Sequence, residues 1–257
     1  MKTVLTIGVI AVCLWLGGCG AIYPLQTRLI YHPVPEVDRP GAQAVRIPSG
    51  TASIKVWVLH ESSEPAVIYF GGNAEDVSAN LPAFEALFPE HAVYLVSYRG
   101  YGGSTGRPSE EALSQDALAV YDWVARRHPH IVVMGRSLGS GVATTLAASR
   151  PVERLILVTP FDSLANVAAG MLPLLPVRWL LRDRYESVKR IGKVQAPILV
   201  LVAEQDEVVS RARSDALIAA IPEALRHTEL IHRATHNDID RFPAFRESIQ
   251  RFMAPQP

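Results

Sequence analysis

The chain has 257 residues, of which 25 are basic, 25 acidic and 49% hydrophobic, and its formal net charge is zero. Charge balanced and spread in this way excludes the electrostatic footprint of a nucleic-acid binder. With no low-complexity tract and no repeat at a fixed period, the apolar content marks a globular chain able to fill a sizeable core, in one large domain or two small ones.

The first eighteen residues, MKTVLTIGVIAVCLWLGG, set one lysine ahead of an apolar run too short to span a bilayer comfortably, which is the build of a secretory signal. The run ends in Leu16-Gly17-Gly18-Cys19, which resembles the bacterial lipoprotein cleavage box. The resemblance implies removal of residues 1–18 and lipidation of Cys19; an uncleaved N-terminal anchor is the alternative. Gly20 after the cysteine is similar to signals for the outer membrane of a Gram-negative cell, so the expected location is that of an exported, membrane-anchored lipoprotein. Cys13 and Cys19 are the only cysteines, and neither leaves the mature domain a disulfide.

Residues 21–50 carry five prolines, so no regular helix runs through them, and 19–50 reads as a lipid-anchored, proline-rich tether along a domain that begins at 51. Extended runs follow at 53–60 and 66–70, a helix within 75–88, a strand at 92–98, and a helix at 109–127 capped by Ser109. Next come a strand at 131–135, a helix within 138–149, a strand at 154–159, an irregular apolar stretch to about 190, and a strand at 196–203. A helix at about 210–220, a strand at 225–231 and a helix near 240–252 complete the chain. Short all-apolar strands alternating with helices predict a mostly parallel central sheet with helices on both faces. In such sheets reacting groups gather at the carboxyl ends of strands.

Two stretches match G-x-S-x-G: Gly135-Arg136-Ser137-Leu138-Gly139 and Gly102-Gly103-Ser104-Thr105-Gly106. A nucleophile elbow needs a strand running into the serine and a helix leaving it. Ser137 meets both terms, whereas Ser104 stands well past its strand, with Gly106 and Pro108 blocking a helix, and reads as a loop residue. An activated serine needs an imidazole and a carboxylate, in the chain order nucleophile, acid, histidine. Asp206 follows the strand at 196–203, with Asp162 and then Glu204 in reserve. Of His227, His232 and His236, only His236 sits in a loop with slack to reach the serine. Oxyanion donors are expected from the backbone N–H groups of Leu138, after the elbow, and of Asn73, in the loop Gly71-Gly72-Asn73-Ala74. The glycines fit neither a phosphate loop nor a dinucleotide fingerprint, and no structural-zinc spacing occurs, so neither cofactor nor metal is expected.

Together these residues resemble the α/β-hydrolase superfamily, in particular its small membrane-associated branch of depalmitoylases and lysophospholipid or monoacylglycerol hydrolases. The carriers are LIYHP (29–33), YFGGNAEDV (69–77), SYRGYGGSTGRPSEE (97–111), MGRSLGSGVA (134–143), TPFDSL (159–164), AEQDEVVS (203–210) and ATHND (234–238). The resemblance implies an α/β-hydrolase fold with a small cap insertion at about 160–190. It also implies Ser137 as nucleophile, Asp206 as acid, His236 as base, and Asn73 and Leu138 as oxyanion donors. The chain departs from the pattern at Gly71, where a histidine is usual, at Ala203 in place of glycine, and at Ser210 in place of proline.

The apolar stretch 164–187, broken by Pro173 and Pro176, is expected to cap Ser137. Its Met171, Leu172, Leu174, Leu175, Trp179 and Leu180 would line an acyl pocket, touch lipid or pack on the sheet. The leading expectation is a lipid-anchored serine hydrolase of small acyl esters, thioesters or lipids. A serine peptidase on the same fold and a non-catalytic interaction lipoprotein are the alternatives.

Overall fold

A computed structural model describes residues 26–254 together with Thr6, Trp15, Gly17 and Gly20. Cys19, the expected lipidation site, lies outside the described residues, as does most of the expected signal segment. No helix among the described residues is long and apolar enough to cross a membrane.

Eight strands form one sheet: β1 (Gln43–Ser49), β2 (Ala52–Leu59), β3 (Ala66–Phe70), β4 (Ala92–Val96), β5 (Ile131–Arg136), β6 (Arg154–Val158), β7 (Ile198–Ala203) and β8 (Arg226–Ile231). Their spatial order is β1-β2-β4-β3-β5-β6-β7-β8. β1 and β2 run antiparallel to their neighbours, and every pairing from β4 through β8 is parallel. The helices are α1 (Leu81–Leu87), α2 (Glu110–Val124), α3 (Leu138–Ala147), α4 (Leu164–Met171), α5 (Val177–Leu180), α6 (Arg211–Ala219) and α7 (Pro243–Met253). This is the α/β-hydrolase fold, and the insertion between β6 and β7 carries α4 and α5.

The central strands are apolar on both faces because both faces are covered. Along β5, Ile131 and Val133 join the core beneath α2 and α3, while Val132 and Met134 join the core beneath α1 and α7. β3 divides in the same way, with Ala66, Ile68 and Phe70 on one side and Val67 and Tyr69 on the other. α2 starts where Ser109 accepts the Ala112 N–H at 3.1 Å, and it buries Leu113, Ala117, Val120 and Val124.

Residues 43–49, which the sequence reads as part of the tether, instead form edge strand β1. They pair with β2 from Gln43↔Val58 to Ser49↔Ala52 across a tight turn at Gly50, whose φ is 57°. Pro48 is tolerated there because an edge strand leaves one side of its ladder open. Ahead of β1, residues 26–30 are helical.

Candidate active site

β5 runs straight into Ser137 and α3 leaves straight after it. The serine backbone has φ 51° and ψ −116°, in a region that L-residues rarely occupy. Its N–H is held by the Val158 carbonyl at 2.9 Å, and its carbonyl accepts from Ser140 N–H at 2.9 Å and Ser140 Oγ at 2.6 Å. Gly135 and Gly139 are required by close approach: a Cβ at Gly139 would collide with the Phe70 carbonyl, and one at Gly135 with the Gly139 carbonyl. The elbow is a strained turn fixed by its neighbours on every side.

The three side chains singled out from the sequence meet in space. His236 Nε2 lies 2.9 Å from Ser137 Oγ, and its Nδ1 lies 2.8 and 3.0 Å from the Asp206 carboxylate oxygens. The His236 and Asp206 side chains are 7% and 5% exposed, so their pairing is shielded from water. Asp206 Oδ1 also accepts the N–H groups of Val208 at 2.9 Å and Val209 at 2.7 Å, which fixes the carboxylate's orientation. With Nδ1 donating to Asp206, Nε2 is free to accept the serine proton.

The other candidates go elsewhere. Asp162 is buried against Arg213 at 3.1 Å and Asn166 at 2.5 Å. Glu204 pairs with His232 at 3.1 Å, and His227 packs on Phe252. Ser104 is buried as a linker, accepting the Lys55 N–H and donating to the Ser97 carbonyl, each at 2.8 Å.

Gly72, Asn73, Ser137, Val208 and His236 line a cleft of about 350 Å³. Leu138 is the first residue of α3, where backbone N–H groups have no partner within the helix. The Asn73 side chain is clamped: Oδ1 accepts from Tyr101 Oη at 2.9 Å and His32 N–H at 3.1 Å, and Nδ2 donates to the Ile30 carbonyl at 2.5 Å. A second cleft of about 420 Å³ shares Val208 and is lined by Met171, Arg178, Asp206 and Arg213 among others. No group of three or more His, Cys, Asp or Glu side chains suited to a metal occurs among the described residues.

Three positioning residues, Glu75, Tyr98 and Arg136, are not evident from the sequence. Glu75 Oε2 accepts the Gly72 N–H at 2.6 Å, while its Oε1 accepts from Tyr69 Oη at 2.8 Å and Asn80 Nδ2 at 2.5 Å. Burial, with the nearby Glu75 charge adding to it, pushes the Tyr69 hydroxyl well above its ordinary value, so it stays a donor. Tyr98, raised likewise by burial, donates to the Gly71 carbonyl at 2.7 Å. The glycine loop that lacks the usual histidine is thus held by Glu75 and Tyr98. Arg136, the variable residue of the elbow motif, donates through Nη2 to the carbonyls of His236 at 3.2 Å and Asn237 at 3.1 Å. A charged residue beside a glycine turn looks like solvated surface in a sequence, and only the fold reveals its partners.

A parallel sheet whose fifth strand delivers a serine to an imidazole and a carboxylate on later loops defines a hydrolase-type α/β architecture. Residues 65–185 match the family model described as alpha/beta hydrolase fold. The chain belongs to the α/β-hydrolase family. An uncharacterized protein of Mycobacterium tuberculosis is 37% identical over 249 residues, covering 90% of this chain and 88% of the relative. The lysophosphatidylserine lipase ABHD12 of Danio rerio is 32% identical over 173 residues, covering 58% of this chain and 45% of that protein. The solved esterase Pf2001 of Pyrococcus furiosus shares the fold with TM-score 0.69 at 19% identity, over 87% of this chain and 99% of the esterase.

Proposed function

We propose that the chain is a serine hydrolase that cleaves carboxylic esters or acyl thioesters. The observation that carries this reading is the 2.9 Å contact between Ser137 Oγ and an imidazole whose far nitrogen is held by a buried carboxylate. In the proposed cycle Ser137 Oγ attacks the acyl carbon while its proton passes to His236 Nε2, and Asp206 steadies the imidazolium. The N–H groups of Asn73 and Leu138 stabilise the tetrahedral oxyanion. Collapse breaks the ester or thioester bond, and His236 returns the proton to the departing alcohol or thiol. Water, deprotonated by His236, then attacks the acyl-Ser137 carbon and releases the acid. A lipid acyl substrate is supported by the lipase among the relatives and by the apolar insertion beside the cleft.

The test is labelling of the chain with a fluorophosphonate, followed by mapping of the adduct. The expected result is one adduct on Ser137, absent in His236→Ala. A folded chain that takes no label has no activated serine, and the proposal fails. Anchoring through Cys19 is part of the same reading, supported by the cleavage-box resemblance. Cys19→Ser is expected to release the protein from membranes, and unchanged attachment would point to a retained apolar anchor.

A further inference from the structure

The insertion between β6 and β7 turns four large apolar side chains outward. Leu174 and Trp179 are 85% and 87% exposed, and Met171 and Leu172 are 58% and 45% exposed. The first two therefore neither line an acyl pocket nor pack on the sheet. Leu29, also exposed, belongs to the helical segment 26–30, which lies against the same insertion. There Ile30 packs beside Ala165, Val177 and Leu181, and Gln26 Oε1 accepts the Arg182 N–H at 2.7 Å. Single exposed leucines need no explanation, but five large apolar side chains grouped on one element and its neighbour do.

Three observations point to lipid as the occupant. The ridge is flanked by the exposed arginines Arg28 and Arg178, which match an anionic headgroup layer. Asp183, the acid nearest in sequence, accepts the Tyr31 hydroxyl at 2.8 Å. Trp179 has the amphipathic ring that favours the boundary between headgroups and acyl chains. The N-terminal leader also meets the insertion at the ridge itself, where the Trp15 indole N–H donates to the Leu174 carbonyl at 2.9 Å. Retained as an anchor, the leader would meet the bilayer beside this same face through Trp15.

We propose that Leu29, Met171, Leu172, Leu174 and Trp179 form a docking face that inserts into the surface of an anionic bilayer. Met171 and Arg178 also line the cleft that holds Asp206 and Val208, so docking sets the approach to Ser137 against lipid, and an acyl chain enters without crossing water. The insertion itself stands alone; its benefit to turnover rests on the ester-hydrolase reading.

The full chain carrying Trp15→Phe and Trp123→Phe retains only buried Trp57 and exposed Trp179 as indole fluorophores, excited apart from the tyrosines. On vesicles of phosphatidylcholine and phosphatidylglycerol with brominated acyl chains, Trp179 emission is expected to shift blue and to fall by about half, as suits insertion at the headgroup boundary. Trp179 that stays open to acrylamide on such vesicles overturns the proposal. So does shielding without lipid accompanied by a doubled sedimentation mass, which would mean a second copy of the chain. Leu174→Asp with Trp179→Asp is expected to lower turnover of a vesicle-embedded long-chain ester about tenfold and to leave a soluble short-chain ester unaffected. Equal turnover of the embedded ester by variant and parent would deny the face any role. If the parent hydrolyses neither ester while Trp179 is still quenched, the docking face stands and the hydrolase reading falls.

Discussion

Ser137 and Ser104 share a motif and differ in everything around them, so substitution separates them by different measurements. Ser137→Ala is expected to abolish fluorophosphonate labelling and most ester turnover while leaving the melting temperature near that of the parent. Ser104→Ala strips partners from the Lys55 N–H and the Ser97 carbonyl, and it is expected to cost about 1–3 kcal/mol in unfolding experiments while turnover persists. Glu75→Ala frees the Gly72 N–H and is expected to lower kcat about tenfold at an unchanged KM, short of the ~10²–10³ lost when an oxyanion donor is removed outright. A KM effect alone would make Glu75 a binding residue instead. Ser137, Asp206 and His236 were legible because chain order and strand ends constrain them. Glu75 and Arg136 were not, since their partners Tyr69, Asn80 and the His236 carbonyl are assembled only by the fold.

Among the elements, α3 is set by how closely it approaches β3. Gly139→Ala would drive a methyl group into the Phe70 carbonyl, and the expected loss is about 3 kcal/mol or failure to fold, read by denaturant titration. The loop that carries His236 depends on two carboxylates at its flanks. The Arg233 N–H and then His232 hold Glu204 below its ordinary 4.5, and the Thr235 N–H holds Asp238 below its ordinary 3.8. Depressed values mean that each stabilises the fold above its ordinary range and loses that contribution as pH falls through the lowered value. Hydrogen exchange of residues 232–238, corrected for intrinsic rates, should show steady protection near neutrality that declines on acidification below about pH 4. Protection unchanged across that range would remove both carboxylates from the account. Most strands could be read in advance because a doubly covered sheet demands unbroken apolar runs. β1 escaped because an edge strand buries only Ile47 and Ser49, and its remaining pattern is that of a loop.

At the scale of the whole molecule, the segment ahead of β1 is built into the body. Tyr31 Oη donates to Asp183 at 2.8 Å and meets Tyr185 Oη at 2.9 Å, which ties that segment to the insertion. Burial, followed by the influence of Tyr185 and Asp183, pushes this hydroxyl far above its ordinary value, so it remains a donor. Tyr31→Phe is expected to cost about 1–3 kcal/mol, with exchange protection falling first in α4 and α5. On either side of Tyr31, the Ile30 carbonyl and the His32 N–H grip the side chain of Asn73. A proteolytic cut ahead of Gln26 would leave that grip whole, whereas a chain trimmed to begin at residue 51 would lose both the grip and β1. Tension on the leader would therefore arrive at the Asn73 loop before it reached the rest of the sheet, making the N-terminal strap the part of the molecule that couples load at one end of the chain to the cleft lined by Asn73 and Ser137.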